Sequence, residues 1–342
     1  MEGSPRLIDW AITTKCNLSC RHCRGMVGDE LSTERARKLI TEIAELKPCW
    51  VIVEGGEPLL REDLFQLLDL MRQKGLEVHL ITNGMLLNPG VLAALKRLGV
   101  KVMISIDGAI PQTYEAIRSG ASFETVMEKA RNCAREGILE AINFTILKSN
   151  YTEIPAIFEL ATSIGVKSLT FIGFKPCHGY HEELLLPEEY EEAVRLTCRG
   201  SQETGCDFFF DEPFFWAIVK ERGFSVKMPA TGAGIVAAST TACIFGEYLF
   251  IDTNGDVKPC SYASTVVGNV NEKPLGEVWR EVLDSPFFQV IREPESRTGY
   301  CRDCHYLTDC KGCRSRTFML TEDWFASDSC CPLSLKLANK GG

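Results

Sequence analysis

Apolar residues along this chain fall into short unbroken runs, separated by stretches where they recur every three or four positions. "LIDWAIT" (residues 7–13), "WVIVEGG", "EVHLITNG", "KVMISIDG", "AINFTIL" and "SLTFIGF" are runs of the first kind. Each reads as a strand of a covered parallel sheet, which needs apolar residues on both faces. Stretches of helical period lie between them: "STERARKLITEIAEL" with its start at Ser32, "REDLFQLLDLMRQKG" closed by Gly75, and residues 89–98, 123–136 and 154–164. Six β-then-α units in about 180 residues predict a partial, TIM-like (β/α)6 barrel over residues 1–180. Functional groups are then expected where the strands end, at their C-terminal edge.

The pattern changes after residue 180. Residues 181–240 read as a helical, irregular bridge containing the acidic helix "PEEYEEAVRLTCR". Residues 241–342 read as a small cysteine-rich α+β domain. Its hairpin, "EYLFIDTNGDVKPC", turns at Asn254-Gly255, and the short helix "LGEVWREVL" follows.

Composition narrows the function classes. The formal net charge of −9 speaks against a nucleic-acid partner, because neutralising phosphates takes a basic surface. No apolar run approaches a membrane span and no charged-then-apolar leader precedes the first motif, so no membrane partner and a cytoplasmic location are expected. Sixteen cysteines are unusual for such a chain, and in a reducing compartment clustered thiols are metal ligands more often than disulfides. Three crowd near the N-terminus, five stand singly (Cys49, Cys133, Cys177, Cys198, Cys206), and eight follow from Cys243 onward. Two separate metal-binding regions are implied.

The first is "CNLSCRHC", in which Cys16, Cys20 and Cys23 are spaced Cys-x3-Cys-x2-Cys directly after the first strand. Structural zinc takes four ligands in a closed tetrahedron, and His22, between two cysteines, is poorly placed to be the fourth. Three thiolates suit a [4Fe–4S] cluster with one iron open to chemistry. Spacing favours the cluster without excluding zinc.

Together with "GGEP" (Gly55, Gly56, Glu57, Pro58) at the end of the next strand, these cysteines resemble the signature of the radical S-adenosylmethionine (radical SAM) superfamily, whose fold is a partial (β/α)6 barrel. The resemblance implies that S-adenosylmethionine chelates the open iron through its amino and carboxylate groups. An electron from the cluster, supplied by a donor such as flavodoxin or ferredoxin, then breaks the sulfonium–carbon bond. The resulting 5′-deoxyadenosyl radical abstracts hydrogen from substrate. By position, the resemblance carries over Gly55 and Gly56 as close approaches to the methionine ammonium, with Glu57 as an acceptor beside Pro58. Isolated, the same four residues would be a strand-end turn. Ser105 and Asp107 end the fourth strand, where ribose contacts are common in the family; Asp107 equally suits a cap for the next helix. Arg118 resembles an arginine that pairs with the methionine carboxylate, or is a surface residue. Asn83 serves a turn or the cavity, and Asn143 faces the barrel interior or outward. One departure is His22, where many members carry an aromatic residue.

In the second region Cys243 and Cys260 flank the hairpin, "CRDCHYLTDCKGC" supplies Cys301, Cys304, Cys310 and Cys313, and "CC" closes with Cys330 and Cys331. This looks like the SPASM or twitch type of auxiliary-cluster domain, although spacing alone also permits a pair of zinc sites. The likeness implies interleaved ligation by two auxiliary clusters. One would take Cys243, Cys260 and Cys313 with no obvious fourth cysteine; the other Cys301, Cys304, Cys310 and Cys331, or Cys330 in its place. "CKGC" is one residue shorter than the family's usual close. Cys177, Cys198 and Cys206 are fourth-ligand candidates, or buried free thiols.

Both ends of the chain are similar to the radical enzymes of the alternative haem and haem d1 pathways, which act on acetate or propionate side chains of tetrapyrroles. The expected substrate is therefore a tetrapyrrole-like small molecule whose carboxylate side chain is modified or decarboxylated. The alternative is a peptide substrate, with a SPASM-type maturase forming a thioether or carbon–carbon link or an epimer. The sixth strand runs into "GFKPCHGYH", which brings Lys175, His178 and His181 near the barrel mouth. His178, as a mover of protons, and Cys177 are the catalytic candidates. A non-enzymatic electron carrier would have no use for the barrel or for "GGEP".

Overall fold

The computed structural model describes residues 3–25, 28–166, 168–226 and 243–334. Six parallel strands form where apolar runs predict them: β1 (Leu7–Ala11), β2 (Trp50–Glu54), β3 (Val78–Thr82), β4 (Lys101–Ser105), β5 (Leu139–Ile146) and β6 (Ser168–Gly173). Helices Thr33–Leu46, Leu64–Gln73, Pro89–Leu98, Phe123–Arg135 and Ile154–Ile164 alternate with them. Local chemistry sets their ends. Ser32 Oγ accepts from the Arg35 amide at 3.2 Å at the start of the first, and Gly99 adopts φ +66° at the end of the third.

The sheet runs further than the six units. A seventh parallel strand, β7 (Asp207–Asp211), pairs with β6 from within the stretch that sequence pattern reads as a helical bridge. It lies between helices Pro187–Thr204 and Phe215–Arg222; residues 227–242 lie outside the described residues. On the opposite edge β8 (Leu249–Ile251) pairs in parallel with β1, then turns at Asn254-Gly255 into antiparallel β9 (Asp256–Lys258) and β10 (Gly268–Asn269). The order is β10-β9-β8-β1-β2-β3-β4-β5-β6-β7, one continuous ten-stranded sheet. The predicted hairpin is thus an extension of the barrel wall.

The two faces differ. Ile8, Trp10, Val51, Val53, Leu80, Ile104, Phe144 and Phe171 point under the helices and are fully buried. The alternate positions, among them Asp9, Glu54, Asn143, Thr170 and Asp211, line a cavity instead. A strand such as "LIDWA" therefore hides one polar group inside an apolar run, and that group marks the functional face.

Candidate active site and cysteine nests

The loop that carries the first three cysteines is laid against the end of β2. The Gly56 amide donates to Thr13 O at 2.8 Å and the Glu57 amide to Lys15 O at 2.7 Å. A Cβ on Gly55 would stand 2.6 Å from Thr13 O, and one on Gly56 would stand 2.3 Å from Lys15 O. These glycines admit the backbone that leads into Cys16. Glu57 is fully buried; its carboxylate accepts from Thr82 Oγ1 at 2.8 and 2.9 Å, the Asn83 amide at 2.8 Å and the Leu59 amide at 3.2 Å. Burial pushes its pKa up, and those hydrogen bonds oppose the shift. Pro58 opens the short turn Pro58–Leu60. Asn83 reaches back, its Nδ2 donating to Asn17 Oδ1 at 2.8 Å. "GGEP" and "TNG" therefore brace the cysteine loop from beneath.

A two-residue ribbon, Ser19–Cys20 against Arg118–Ser119, sets the far side of the loop. Arg118 is buried, donating from Nε to Asp107 Oδ2 at 2.6 Å and from Nη1 to Cys20 Sγ at 3.8 Å. Asp107 also accepts from the Thr145 amide at 2.7 Å and faces His22 Nε2 at 3.3 Å. Asp107 gives helix Pro111–Ile117 no side-chain cap, and Arg118 is not on the surface. Ser105 ends β4, half-buried. Burial pushes the Cys20 thiol up to about 11; Arg118 opposes this, and Asp107, Cys23 and Cys16 add to it. The thiols are near enough to repel one another as thiolates, the condition that iron coordination relieves.

Beyond this loop the inward faces of the strands enclose a cavity of about 260 Å³. Trp50, Phe209, Trp216 and Tyr262 supply aromatic wall, and Arg6, Arg24 and Lys175 supply cations. Arg24 directly follows Cys23, pairs with Glu54, and stacks 4.7 Å from the Phe250 ring centre. Lys175 is buried between Asp211 at 3.1 Å and Glu212 at 3.7 Å. Asp9 Oδ1 and Asn143 Oδ1 have no hydrogen-bond partner among the described residues, and both residues line the cavity, so Asn143 faces inward. Asp9, Glu54 and Arg24 were missed by sequence reasoning. The available signal was an acidic residue inside an otherwise apolar strand.

Cys243, Cys260 and Cys313 line the same cavity. Cys301, Cys304, Cys310 and Cys331 instead surround a separate void of about 20 Å³ next to Asp328 and Gly312. Of the adjacent pair, Cys331 lines this void and Cys330 does not; burial pushes both thiols up, with Asp328 adding to each, Cys301 and Cys304 adding at Cys331, and Arg316 opposing at Cys330. Cys177 does not line the cavity; burial pushes its thiol up to about 11, with Arg24 and Lys175 opposing and Cys260 adding to the shift. Cys198 sits in the core within helix Pro187–Thr204, and Cys206 Sγ donates to Asp207 O at 3.5 Å. The His178 ring lies against the loop after Cys23, where a Cβ on Gly25 would stand 2.9 Å from Nε2. Among the described residues no three His, Cys, Asp or Glu side chains are grouped as ligands of a single metal ion. Four cysteines lining one void are the donor set that a [4Fe–4S] cluster takes.

The sequence matches the family model of the radical SAM superfamily over residues 10–161 and that of an iron–sulfur cluster-binding (SPASM) domain over residues 243–305. It is 31% identical to the AdoMet-dependent heme synthase of Methanosarcina barkeri, over 97% of each chain. This chain belongs to the radical SAM superfamily. As a radical SAM enzyme it binds S-adenosylmethionine and a [4Fe–4S] cluster, and its SPASM domain binds auxiliary iron–sulfur clusters. It is also 30% identical to the mycofactocin maturase MftC of Mycobacterium ulcerans, over 90% of this chain and 82% of the relative. Streptococcus suis SuiB bound to S-adenosylmethionine shares the fold, with a TM-score of 0.74 at 17% identity over 96% of this chain and 77% of SuiB. Among the described residues no helix is long and apolar enough to cross a membrane.

Proposed function

We propose that this enzyme abstracts hydrogen from, and so modifies or decarboxylates, a carboxylate side chain of a tetrapyrrole-like small molecule. The observation that carries the reading is the likeness to a heme synthase along 97% of both chains. The cavity supports it: aromatic walls suit a macrocycle, and Arg6, Arg24 and Lys175 suit carboxylate arms, for which Arg24 would exchange Glu54 and Lys175 would exchange Asp211 and Glu212.

Cys16, Cys20 and Cys23 would hold the site cluster. S-adenosylmethionine would be bounded by Gly55, Gly56, Glu57, Pro58 and Asn83 on one side and by Ser105, Asp107, Arg118 and Asn143 on the other. When bound, cluster and cosubstrate supply the 5′-deoxyadenosyl radical that removes a hydrogen atom from substrate. The chain's own part is to hold geometry: Asp107 and Arg118 fix Cys20 from the side of the loop, and the aromatic residues form the wall of the cavity. Cys243, Cys260, Cys313 and Cys177 form the first auxiliary set, and Cys301, Cys304, Cys310 and Cys331 the second. Cys177 is thereby a ligand in preference to a catalyst, and His178 remains the proton-carrying group at the mouth. Flavodoxin or ferredoxin supplies electrons, and the sheet begun by the six β/α units takes in β7 and β8 as well.

The test is anaerobic reconstitution with reductant, S-adenosylmethionine and a propionate-bearing iron porphyrin. Formation of 5′-deoxyadenosine together with loss of carbon dioxide from the porphyrin is expected. Cosubstrate cleavage that leaves the porphyrin unchanged, while a peptide offered in its place is crosslinked, would overturn the substrate and favour the second reading. That reading, a peptide maturase, draws on the likeness to mycofactocin maturase.

A further inference from the structure

A chain of buried ions joins the cavity to the C-terminal cysteines. Lys175, just past β6, stands 3.7 Å from Glu212 Oε1, just past β7. The same Glu212 oxygen pairs with Arg316 Nη1, on helix Arg314–Thr321. Arg316 then grips Asp328 with two bonds, Nη2 to Oδ2 at 2.8 Å and Nε to Oδ1 at 3.3 Å. Asp328 in turn accepts from the Cys313 amide at 3.0 Å and the Cys330 amide at 3.2 Å. The side chains of Glu212, Arg316 and Asp328 are no more than 1% exposed. Arg316 is also stacked 5.3 Å from the Tyr190 ring centre and 5.4 Å from that of Phe214.

Stability alone is a weak reason for such a chain. Each buried charge gives up its hydration, and apolar replacements of buried ion networks are often neutral or stabilising. What the ions do here is local: the carboxylate of Asp328 orients the backbone of Cys313, whose thiol lines the substrate cavity. The reduction potential of an iron–sulfur cluster responds to charges and hydrogen bonds around its thiolates.

We infer that Asp328, Arg316, Glu212 and Lys175 are positioning residues that seat Cys313 at the cavity wall and set the potential of the auxiliary cluster it holds. This rests on the assignment of Cys313 to a cluster. A negative charge near the cluster opposes the arrival of an electron, and a positive one favours it. Asp328→Asn keeps an oxygen for the Cys313 amide while removing charge, so it raises the potential. Glu212→Gln, one link further away, raises it less. Arg316→Gln and Lys175→Gln lower it.

The experiment is a redox titration of the reconstituted full-length enzyme, followed by electron paramagnetic resonance, with Cys313→Ala used to assign the signal. The expected result is opposite shifts for the acidic and basic variants at that signal, an unchanged signal from the Cys16–Cys20–Cys23 cluster, and wild-type iron content. Should Arg316→Gln fail to fold, Asp328→Asn and Lys175→Gln still carry opposite signs. Unmoved potentials, or shifts of one sign in both kinds of variant, would overturn the proposal. If Cys313→Ala removes no cluster signal, the ligand assignment has failed instead, before any potential is compared.

Discussion

At Gly56 a single methyl group would stand 2.3 Å from the Lys15 carbonyl oxygen and 2.8 Å from its carbon, both backbone atoms that no rotamer can move aside. Gly56→Ala is expected to push the loop off β2 and shift Cys16, at an overpacking cost of about 1–3 kcal/mol. Iron and sulfide content, compared with the urea midpoint, checks it: iron at the site cluster should fall while the barrel stays folded. Asp9 gives a pH-dependent counterpart. Burial pushes its carboxyl up to about 7 against the pull of Arg24, so the fold prefers the neutral acid. Its contribution to stability is complete below the ordinary aspartate value and is lost as pH rises through about 7. Asp9→Asn has no proton to lose. Denaturation midpoints should therefore show the variant gaining on the wild type as pH goes from 5 to 8. A constant difference would remove Asp9 from this account.

Strand β7 reads "DFFFD", an alternation too short and too close to two helices to stand out in the sequence. Once formed, it sends Phe208 under the helices and Phe209 and Asp211 into the cavity, while Phe210 is buried in the core and also touches the cavity. Phe208 lies 5.4 Å from the Phe215 ring and 6.2 Å from that of Phe158, centre to centre. Phe208→Ala should cost about 3–5 kcal/mol in chemical denaturation, the range for emptying a buried aromatic site. A value near zero would mean that β7 is peripheral to the sheet. The hairpin is the opposite case: Asn-Gly between apolar runs is a strong local signal and was read correctly. Its docking on β1, with Ile8 opposite Leu249, depends on a residue more than two hundred positions away and leaves no local trace.

For the molecule as a whole, the barrel and the cysteine-rich stretch near the C-terminus are held by different forces. The barrel rests on continuous apolar burial between sheet and helices. Residues 297–334 contain only short helical turns, Gly299–Cys301, Leu307–Cys310 and Arg314–Thr321, arranged around thiols and buried ions. Metal binding to such a region is part of its folding free energy. Iron removal should therefore abolish amide-exchange protection across 297–334 while β2 to β5 stay protected, as hydrogen-exchange mass spectrometry would report. Equal protection with and without iron would show that the buried ions suffice.

Sequence alone determined the β/α repeat, the two cysteine regions and the family, because apolar period, turn residues and ligand spacing are local properties that each segment carries intact. Tertiary structure decided which thiols look at one another, that Cys331 and not Cys330 faces the second void, and that Asp9, Glu54 and Arg24 share a cavity with Cys243, Cys260 and Cys313. It also decided that Arg118 and Asp107 are a buried pair holding Cys20. Those relations come from strand register and loop closure between distant segments, and the direction a side chain takes there depends on partners that its neighbours in sequence do not specify.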